Sequence, residues 1–186
     1  MDNIVILVVL AAIGLYAVSL YNKLVRLRQM VSEGWSGIEV QLKRRADLIP
    51  NLLETVKGYM KHEKELLEEV TRLRTASVAA GSAGPGERGK IEGALSGALG
   101  RLMAVAENYP DLKANENFAD FQQALENTED EISLSRRYYN GSVRNNNIAV
   151  ESFPSNLIAN RFGFSAAEFF EIEDESDRAT PKVSFD

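Results

Sequence analysis

The sequence predicts an all-α protein, in which an antiparallel bundle of long helices is continuous with an N-terminal transmembrane helix. An uncharged apolar run lies near the N-terminus, and apolar residues then recur every three or four positions over most of the chain. No stretch alternates polar and apolar residues for long enough to indicate a sheet. The pattern divides the chain into an anchor at 1–22, a helical bundle at 23–167 and an acidic tail at 168–186, which we expect to be mobile.

The anchor is an uncharged run of eighteen residues, 4–21. A helix rises about 1.5 Å per residue, so the run is about 27 Å long and close to the roughly 30 Å hydrocarbon core of a bilayer. A cleaved signal peptide is the alternative, but it requires a basic N-terminal region, and Asp2 stands there instead. A core helix would seldom be apolar on every face. The residues that we expect inside the membrane include Ile4, Leu7, Leu10, Ile13, Leu15, Tyr16, Val18 and Tyr21.

Basic residues directly after the anchor predict its orientation. Lys23, Arg26 and Arg28 follow the apolar run, whereas only Asp2 and the terminal amine lie on the other side. Cytoplasmic flanks carry the excess of Lys and Arg, and these side chains can contact anionic headgroups. We therefore expect a single-pass membrane protein with its C-terminal domain in the cytoplasm and membrane lipid as a partner.

Three long helices and a short one are predicted after the anchor. The first continues the anchor, because apolar residues recur at an average step of about 3.7 over residues 20–42. Pro50 cannot donate to the Ala46 carbonyl, which predicts a kink or a break there, and the apolar stripe then resumes as far as a glycine-rich loop at 79–89. The later helices are expected at about 90–109, 115–152 and 154–159.

No motif predicts catalysis, a cofactor or a metal site. The chain has no cysteine and one histidine, His62, which excludes disulfides, thiol nucleophiles and most Cys or His metal centres. Residues 84–90 have the glycine and lysine spacing of a phosphate-binding loop, but Ile91 replaces the magnesium-binding hydroxyl and a helix precedes the loop. The glutamates within 63–69 alternate with basic residues as on a solvated helix face.

Charged and polar clusters are the remaining candidates for interaction. The group around residues 43–47 could bind an anionic partner or pair with carboxylates of a neighbouring helix. Asparagines at 145–147 suit either hydrogen bonding within the fold or an interface. A formal net charge of -6 argues against a nucleic-acid partner. The candidate interaction residues are Lys43, Arg44, Arg45, Asp47, Arg136, Arg137 and, as a short docking strand near the C-terminus, Val183 and Phe185.

Four runs of the sequence resemble the LemA family of bacterial membrane proteins: YNKLVRLRQMVSEGWSGIEVQLKRRADLIPNLLETVKGY, YPDLKANENFADFQ, RRYYN and FPSNLIANRFGF. The resemblance covers nearly all of residues 21–170. It implies one N-terminal helix in the bacterial inner membrane, a helical-bundle domain in the cytoplasm and similarity to proteins of magnetosome membranes. Genes of the family often accompany genes for membrane proteases or the cell envelope, and the resemblance implies no catalytic residues.

These observations predict a non-catalytic scaffold that is anchored in the membrane. It would act as a homo-oligomer, or through contacts with lipid or with a membrane protein. An adaptor to a membrane protease or to envelope-stress machinery is the alternative. A metal-dependent or hydrolytic enzyme is a remote alternative, because its groups would have to come from Asp, Glu and His62 alone.

Overall fold

The computed structural model describes residues 2–171, and every regular element within them is a helix. The predicted all-α class is therefore confirmed for this part of the chain. The tail residues 172–186, with Val183 and Phe185, lie outside the described residues. A short 3-10 turn, Ala80–Ser82, accompanies six α-helices: α1 Asp2–Lys57, α2 Lys64–Ala79, α3 Pro85–Ala106, α4 Pro110–Lys113, α5 Glu116–Glu151 and α6 Ser155–Phe162.

Helix α1 joins the apolar run to the polar part of the chain without a break, as predicted. It has 56 residues, and its most apolar 18-residue window has a mean hydropathy of 2.6. None of that window is buried, whereas a core helix of a soluble protein would be mostly buried there. By length, composition and exposure, this segment fits a membrane-spanning helix.

The described residues form two compact units. The first contains residues 2–37 and 135–169, and the second contains residues 38–134 with 170–171. Helices α1 and α5 each contribute to both units.

In the first unit, α1 and α5 are antiparallel neighbours. The ring centroids of Trp35 and Tyr139 are 5.4 Å apart, and Leu24 shares a buried cluster with Ala149, so residue numbers rise on one helix as they fall on the other. Gly34 permits the close approach of the two helices, because a Cβ atom there would lie 3.0 Å from the Tyr139 Cα atom.

In the second unit, α2 and α3 form an antiparallel hairpin. Successive contacts join Glu63 to Tyr109 and Glu69 to Arg101. This hairpin packs with residues of α1, α4 and α5 around one apolar core. The buried core residues are Ile49, Leu52, Leu53, Val56, Met60, Leu67, Val70, Leu73, Leu95, Ala98, Leu99, Leu102, Ala106, Leu112, Phe118 and Leu125.

Two predicted helix ends differ in the structure. Of the kink or break predicted at Pro50, the break is wrong, because α1 continues to Lys57. The interruption lies at 58–63 and begins at Gly58, a poor helix former. The loop predicted at 79–89 is shorter, because α3 already begins at Pro85. A proline in the first turn of a helix is tolerated, since its missing N–H would have no partner within the helix.

Helix α1 continues through Pro50 because a residue of α2 pairs with the carbonyl that Pro50 leaves free. Arg74 donates from Nε to the Ala46 carbonyl oxygen at 3.1 Å. Ala46 is buried, so this bond replaces the one that the residue at position 50 would otherwise donate.

Replacing Arg74 by methionine should therefore lower the free energy of unfolding by about 1–3 kcal/mol, because the Ala46 carbonyl loses its partner. In a Pro50→Ala background the new N–H at position 50 can pair with Ala46, so the same change should cost clearly less. Denaturant unfolding of the four proteins, followed by circular dichroism in mild detergent, measures the difference. Equal costs in both backgrounds would contradict this explanation.

Candidate functional site

The residues predicted to lie in the membrane form an exposed apolar surface on α1. Lys23, Arg26 and Arg28, which follow this surface on the same helix, are also exposed. Seven of the predicted membrane residues are between 55 and 73% exposed, namely Ile4, Leu7, Leu10, Ile13, Leu15, Tyr16 and Val18, and Tyr21 is 37% exposed.

A buried cluster of charged residues lies in the second unit. Arg45 is completely buried, and its Nη2 atom lies 2.5 Å from Oε2 of the equally buried Glu92. Its Nη1 atom donates to Ser96 Oγ at 2.6 Å and also pairs with Glu129, a partly exposed residue of α5. A guanidinium presents several donors in a fixed plane, so Arg45 connects α1, α3 and α5 at one point.

Glu92 is the centre of this cluster. Ser77 of α2 donates from Oγ to Glu92 Oε1 at 2.7 Å, and Arg88 Nε forms an ion pair with the same oxygen at 2.9 Å. Two arginines thus face two glutamates, and their formal charges cancel. Paired and hydrogen-bonded charges are tolerated in a protein interior, whereas a single unpaired charge there is very costly.

The structure separates the predicted interaction group around residues 43–47. The sequence allowed this group either to bind an anionic partner or to pair with carboxylates of a neighbouring helix. Arg45 does the latter and pairs with Glu92 and Glu129. Lys43, Arg44 and Asp47 are exposed. Glu92 was not among the sequence candidates, although a lone glutamate in the glycine- and alanine-rich stretch 91–100 is a signal that could have indicated a buried pair.

An open groove of about 610 Å³ lies beside the charged cluster. Glu129 lines it together with Glu126 and Asp130 from α5 and Ser96 and Met103 from α3. Glu129 already faces Arg45, and no group of three or more Asp, Glu or His side chains within residues 2–171 is placed to hold a metal ion. The charged cluster therefore connects side chains of α1, α2, α3 and α5, and the groove lies beside it.

Asparagines of α5 bind the segment that follows α6. Asn147 donates from Nδ2 to the Ala167 carbonyl at 2.9 Å, and its Oδ1 accepts from the Ala167 N–H at 2.8 Å, so one side chain satisfies both backbone groups. Buried Asn146 donates to the Ser165 carbonyl at 3.2 Å. Of the two roles that the sequence left open for these asparagines, hydrogen bonding within the fold is the one observed. Arg136 is half-buried and Arg137 is exposed on the same helix.

Tyr139 of α5 provides another contact to this segment. Its hydroxyl donates to the Glu168 carbonyl oxygen at 2.7 Å, and its ring is buried. Burial raises the pKa of Tyr139 to about 12, and the negative charge of Glu168 adds to the shift. Both causes disfavour the phenolate, so the contact persists throughout the neutral pH range.

Tyr139 should make the stability of the protein depend on pH only in alkaline solution. Its pKa in the folded state is above the unfolded value of 10, so its contribution is fully present below pH 10 and is lost as the pH rises to about 12. Ultraviolet difference titration of the wild type against Tyr139→Phe should show one late-ionising phenol. Denaturation of both proteins across that range should show a steeper loss in the wild type, and parallel losses would contradict the assignment.

The sequence also matches a known protein family. The LemA family profile matches residues 34–185, which is most of the chain. The chain belongs to the LemA family. The resemblance found in the sequence is thus confirmed, and in this LemA-family protein the matched region begins within α1 and includes α2 to α6.

Curated relatives of this LemA-family protein include magnetosome proteins. Magnetosome protein MamQ 2 of Paramagnetospirillum magneticum is 29% identical, over 88% of this chain and 68% of the relative. Magnetosome protein MamQ of Magnetospirillum gryphiswaldense is 27% identical, over 88% and 70%. Protein LemA of Metamycoplasma hominis is 25% identical, over 82% and 69%. Together with the exposed apolar helix, these relatives indicate a membrane-associated protein.

Proposed function

We propose that this protein is a non-catalytic scaffold that is anchored in the bacterial inner membrane by α1. It acts by assembling with further copies of itself and by contacting lipid or another membrane protein. Helix α1 is the observation that carries the proposal. Its apolar window is fully unburied, which suits lipid, and the same helix supplies Leu24 and Ile49 to the buried cores.

The basic residues after the apolar run support a cytoplasmic position for the helical domain. Lys23, Arg26 and Arg28 are exposed directly beyond Tyr21, and an excess of Lys and Arg marks the cytoplasmic flank of a membrane helix. The protein would then cross the membrane once, with its N-terminus outside the cytoplasm.

The chemistry of the buried charges supports a structural rather than a catalytic use. Arg45 and Glu92 are directed at each other and away from solvent, and Ser77 and Arg88 take the other oxygen of Glu92. An acid or base that works on a substrate must reach it, whereas these groups are already occupied by one another. A lock between helices is the role that their geometry favours.

Electron microscopy of the purified full-length protein in lipid nanodiscs tests the proposal. We expect discrete particles with several copies, in the form of a ring, cage or filament. A protein lacking residues 176–186 serves as the matched variant, because the sequence predicts a docking strand there. Smaller particles in the variant would support docking by the tail, and unchanged particles would eliminate it. A uniform population of single copies from the full-length chain would contradict self-assembly.

Crosslinking in cells separates the scaffold from the adaptor alternative. An adaptor would be linked mainly to a membrane protease or another envelope protein, and deletion of the acidic tail would abolish that link. A self-assembling scaffold would be linked mainly to its own copies. This experiment compares the full-length chain with one that lacks residues 172–186, because the shorter deletion of 176–186 would leave most of the acidic residues of the tail in place.

A further inference from the structure

Helix α6 and the turn before it expose large apolar side chains in the first unit. Phe153 is 79% exposed, Leu157 is 59% exposed and Phe162 is 57% exposed. The turn and the eight-residue helix therefore expose three large apolar side chains close together in sequence. Exposed large apolar side chains in one short segment are a feature of sites that contact a partner or a membrane.

One side of α6 is packed against the protein. Ala159 is completely buried in a cluster with Leu24 of α1, Ala149 of α5 and Phe164. Ser155 is also buried and donates from Oγ to the Ser152 carbonyl at 2.9 Å. The orientation of α6 is thus set by this buried side. By helical spacing Leu157 lies on the opposite side, whereas Phe162 follows the line of Ser155 and Ala159 and is exposed at the C-terminal end of the helix.

Helix α6 lies against the last turn of the apolar run of α1. The rings of Tyr21 and Phe162 meet edge-on with their centroids 5.0 Å apart. Ile158 and Phe162 also line an entirely apolar groove of about 270 Å³ with Ala17, Val18 and Tyr21. Of the three exposed side chains, Phe162 therefore adjoins the exposed apolar surface of the anchor.

If α1 spans the bilayer, its contact with α6 determines how deep α6 lies in the membrane. Positions 17 and 21 are about 6 Å apart along the helix axis, and the first basic residue after them is Lys23. Ile158 and Phe162 would thus lie at the boundary between acyl chains and headgroups. Amphipathic helices that lie in the membrane plane bury their apolar faces about 5–10 Å at the same boundary.

Basic and aromatic groups around α6 also match this boundary. Arg161 is exposed on α6 itself, and the guanidinium of Arg28 lies 5.0 Å from the ring centre of Phe164. Tyr21 and Phe164 form a second edge-on ring pair, with centroids 5.7 Å apart. Aromatic rings and Lys or Arg side chains are enriched where a protein passes from hydrocarbon to headgroups.

We propose that Phe153, Leu157 and Phe162 form a second membrane contact, which inserts into the leaflet boundary where α1 leaves the bilayer. We call these three residues the α6 patch. The occupant is lipid because Phe162 of the α6 patch adjoins Ala17 and Val18, which a spanning α1 presents to acyl chains, and Phe153 and Leu157 are exposed on the same short segment. This inference rests on the proposed membrane anchor. It adds that the domain is tethered by an in-plane contact as well as by the spanning helix.

Single-cysteine labelling tests the α6 patch, because the chain has no cysteine of its own. Full-length Leu157→Cys, Val18→Cys and Val78→Cys proteins are labelled with the environment-sensitive dye NBD in nanodiscs that hold one copy each. Val78 on α2 is 55% exposed and serves as the matched control for Leu157. We expect dyes at 157 and 18 to show blue-shifted emission and quenching by lipids that carry a nitroxide near the headgroup. The dye at 78 should show neither.

The three positions distinguish failure of the inference from failure of the anchor. Quenching at 18 together with a water-like signal at 157 would overturn the α6 patch and leave the anchor intact. Water-like signals at both 18 and 157 would overturn the anchor as well. The dye at 157 could also show a blue shift only in discs with several copies and no quenching by lipid. That result would show that the α6 patch is an interface between copies, and it would overturn the inference.

Discussion

Replacing Glu92 by alanine should lower the free energy of unfolding by about 3–5 kcal/mol, because it leaves the buried guanidinium of Arg45 without its fully buried partner. Ser77 and Arg88 lose the same carboxylate. Glu129 cannot compensate fully, since its side chain is 40% exposed and already pairs with the other nitrogen of Arg45. Denaturant unfolding of the full-length protein in mild detergent measures the loss.

Two controls show whether burial of the pair causes this loss. Glu68→Ala removes the carboxylate of an exposed pair on α2, in which Lys64 Nζ and Glu68 Oε1 are 3.6 Å apart, and should cost at most about 1 kcal/mol. The triple variant Arg45→Met, Arg88→Met and Glu92→Leu replaces the buried charges by apolar groups, leaves neither arginine without its carboxylate and should regain most of the lost stability. If Glu92→Ala costs no more than Glu68→Ala, the cluster does not lock the helices.

Replacing Ile13 by arginine should make membrane insertion of α1 less favourable by about 2.5–3.5 kcal/mol, the cost of a cation near the centre of a spanning helix. Ile13 lies within the apolar window and is 59% exposed, so the change leaves the buried cores intact. Flotation with lipid vesicles and alkaline extraction of cell membranes should both show a larger soluble fraction for this variant.

Val40→Arg is the matched control for the anchor. Val40 lies on the same helix and is 63% exposed, but it stands beyond the apolar run and its basic flank. This variant should stay with membranes like the wild type. An Ile13→Arg protein that is retained as tightly as Val40→Arg would show that residues 4–21 do not span the bilayer.

The features that were predictable from the sequence depend on local patterns. The exposed apolar part of α1 needed only an uncharged run of sufficient length, and the continuity of α1 needed only apolar residues at helical spacing on both sides of Tyr21. The sequence also identifies Pro50 as a residue that frees the Ala46 carbonyl. The sequence does not predict that α1 continues through Pro50, because the donor that pairs with the Ala46 carbonyl, Arg74, lies 28 residues after Ala46.

The same distinction holds for the candidate site. The basic group around residues 43–47 was identified, but pairing with Glu92 joins residues 47 positions apart and depends on how three helices pack. The polarity of Asn146 and Asn147 was evident, yet their partners lie 19 and 20 residues away in a segment without regular structure. Local periodicity specifies helices and their faces, whereas packing between distant segments decides which polar groups meet.

Sizing of the full-length protein extracted directly from cells into lipid-containing native nanodiscs tests the central claim most directly. Mass photometry of these particles reports lipid association and copy number together. The membrane-anchored scaffold predicts that the protein remains with lipid and is found as several copies per particle. Recovery of the chain as a lipid-free single copy after gentle lysis would contradict both the anchor and the assembly.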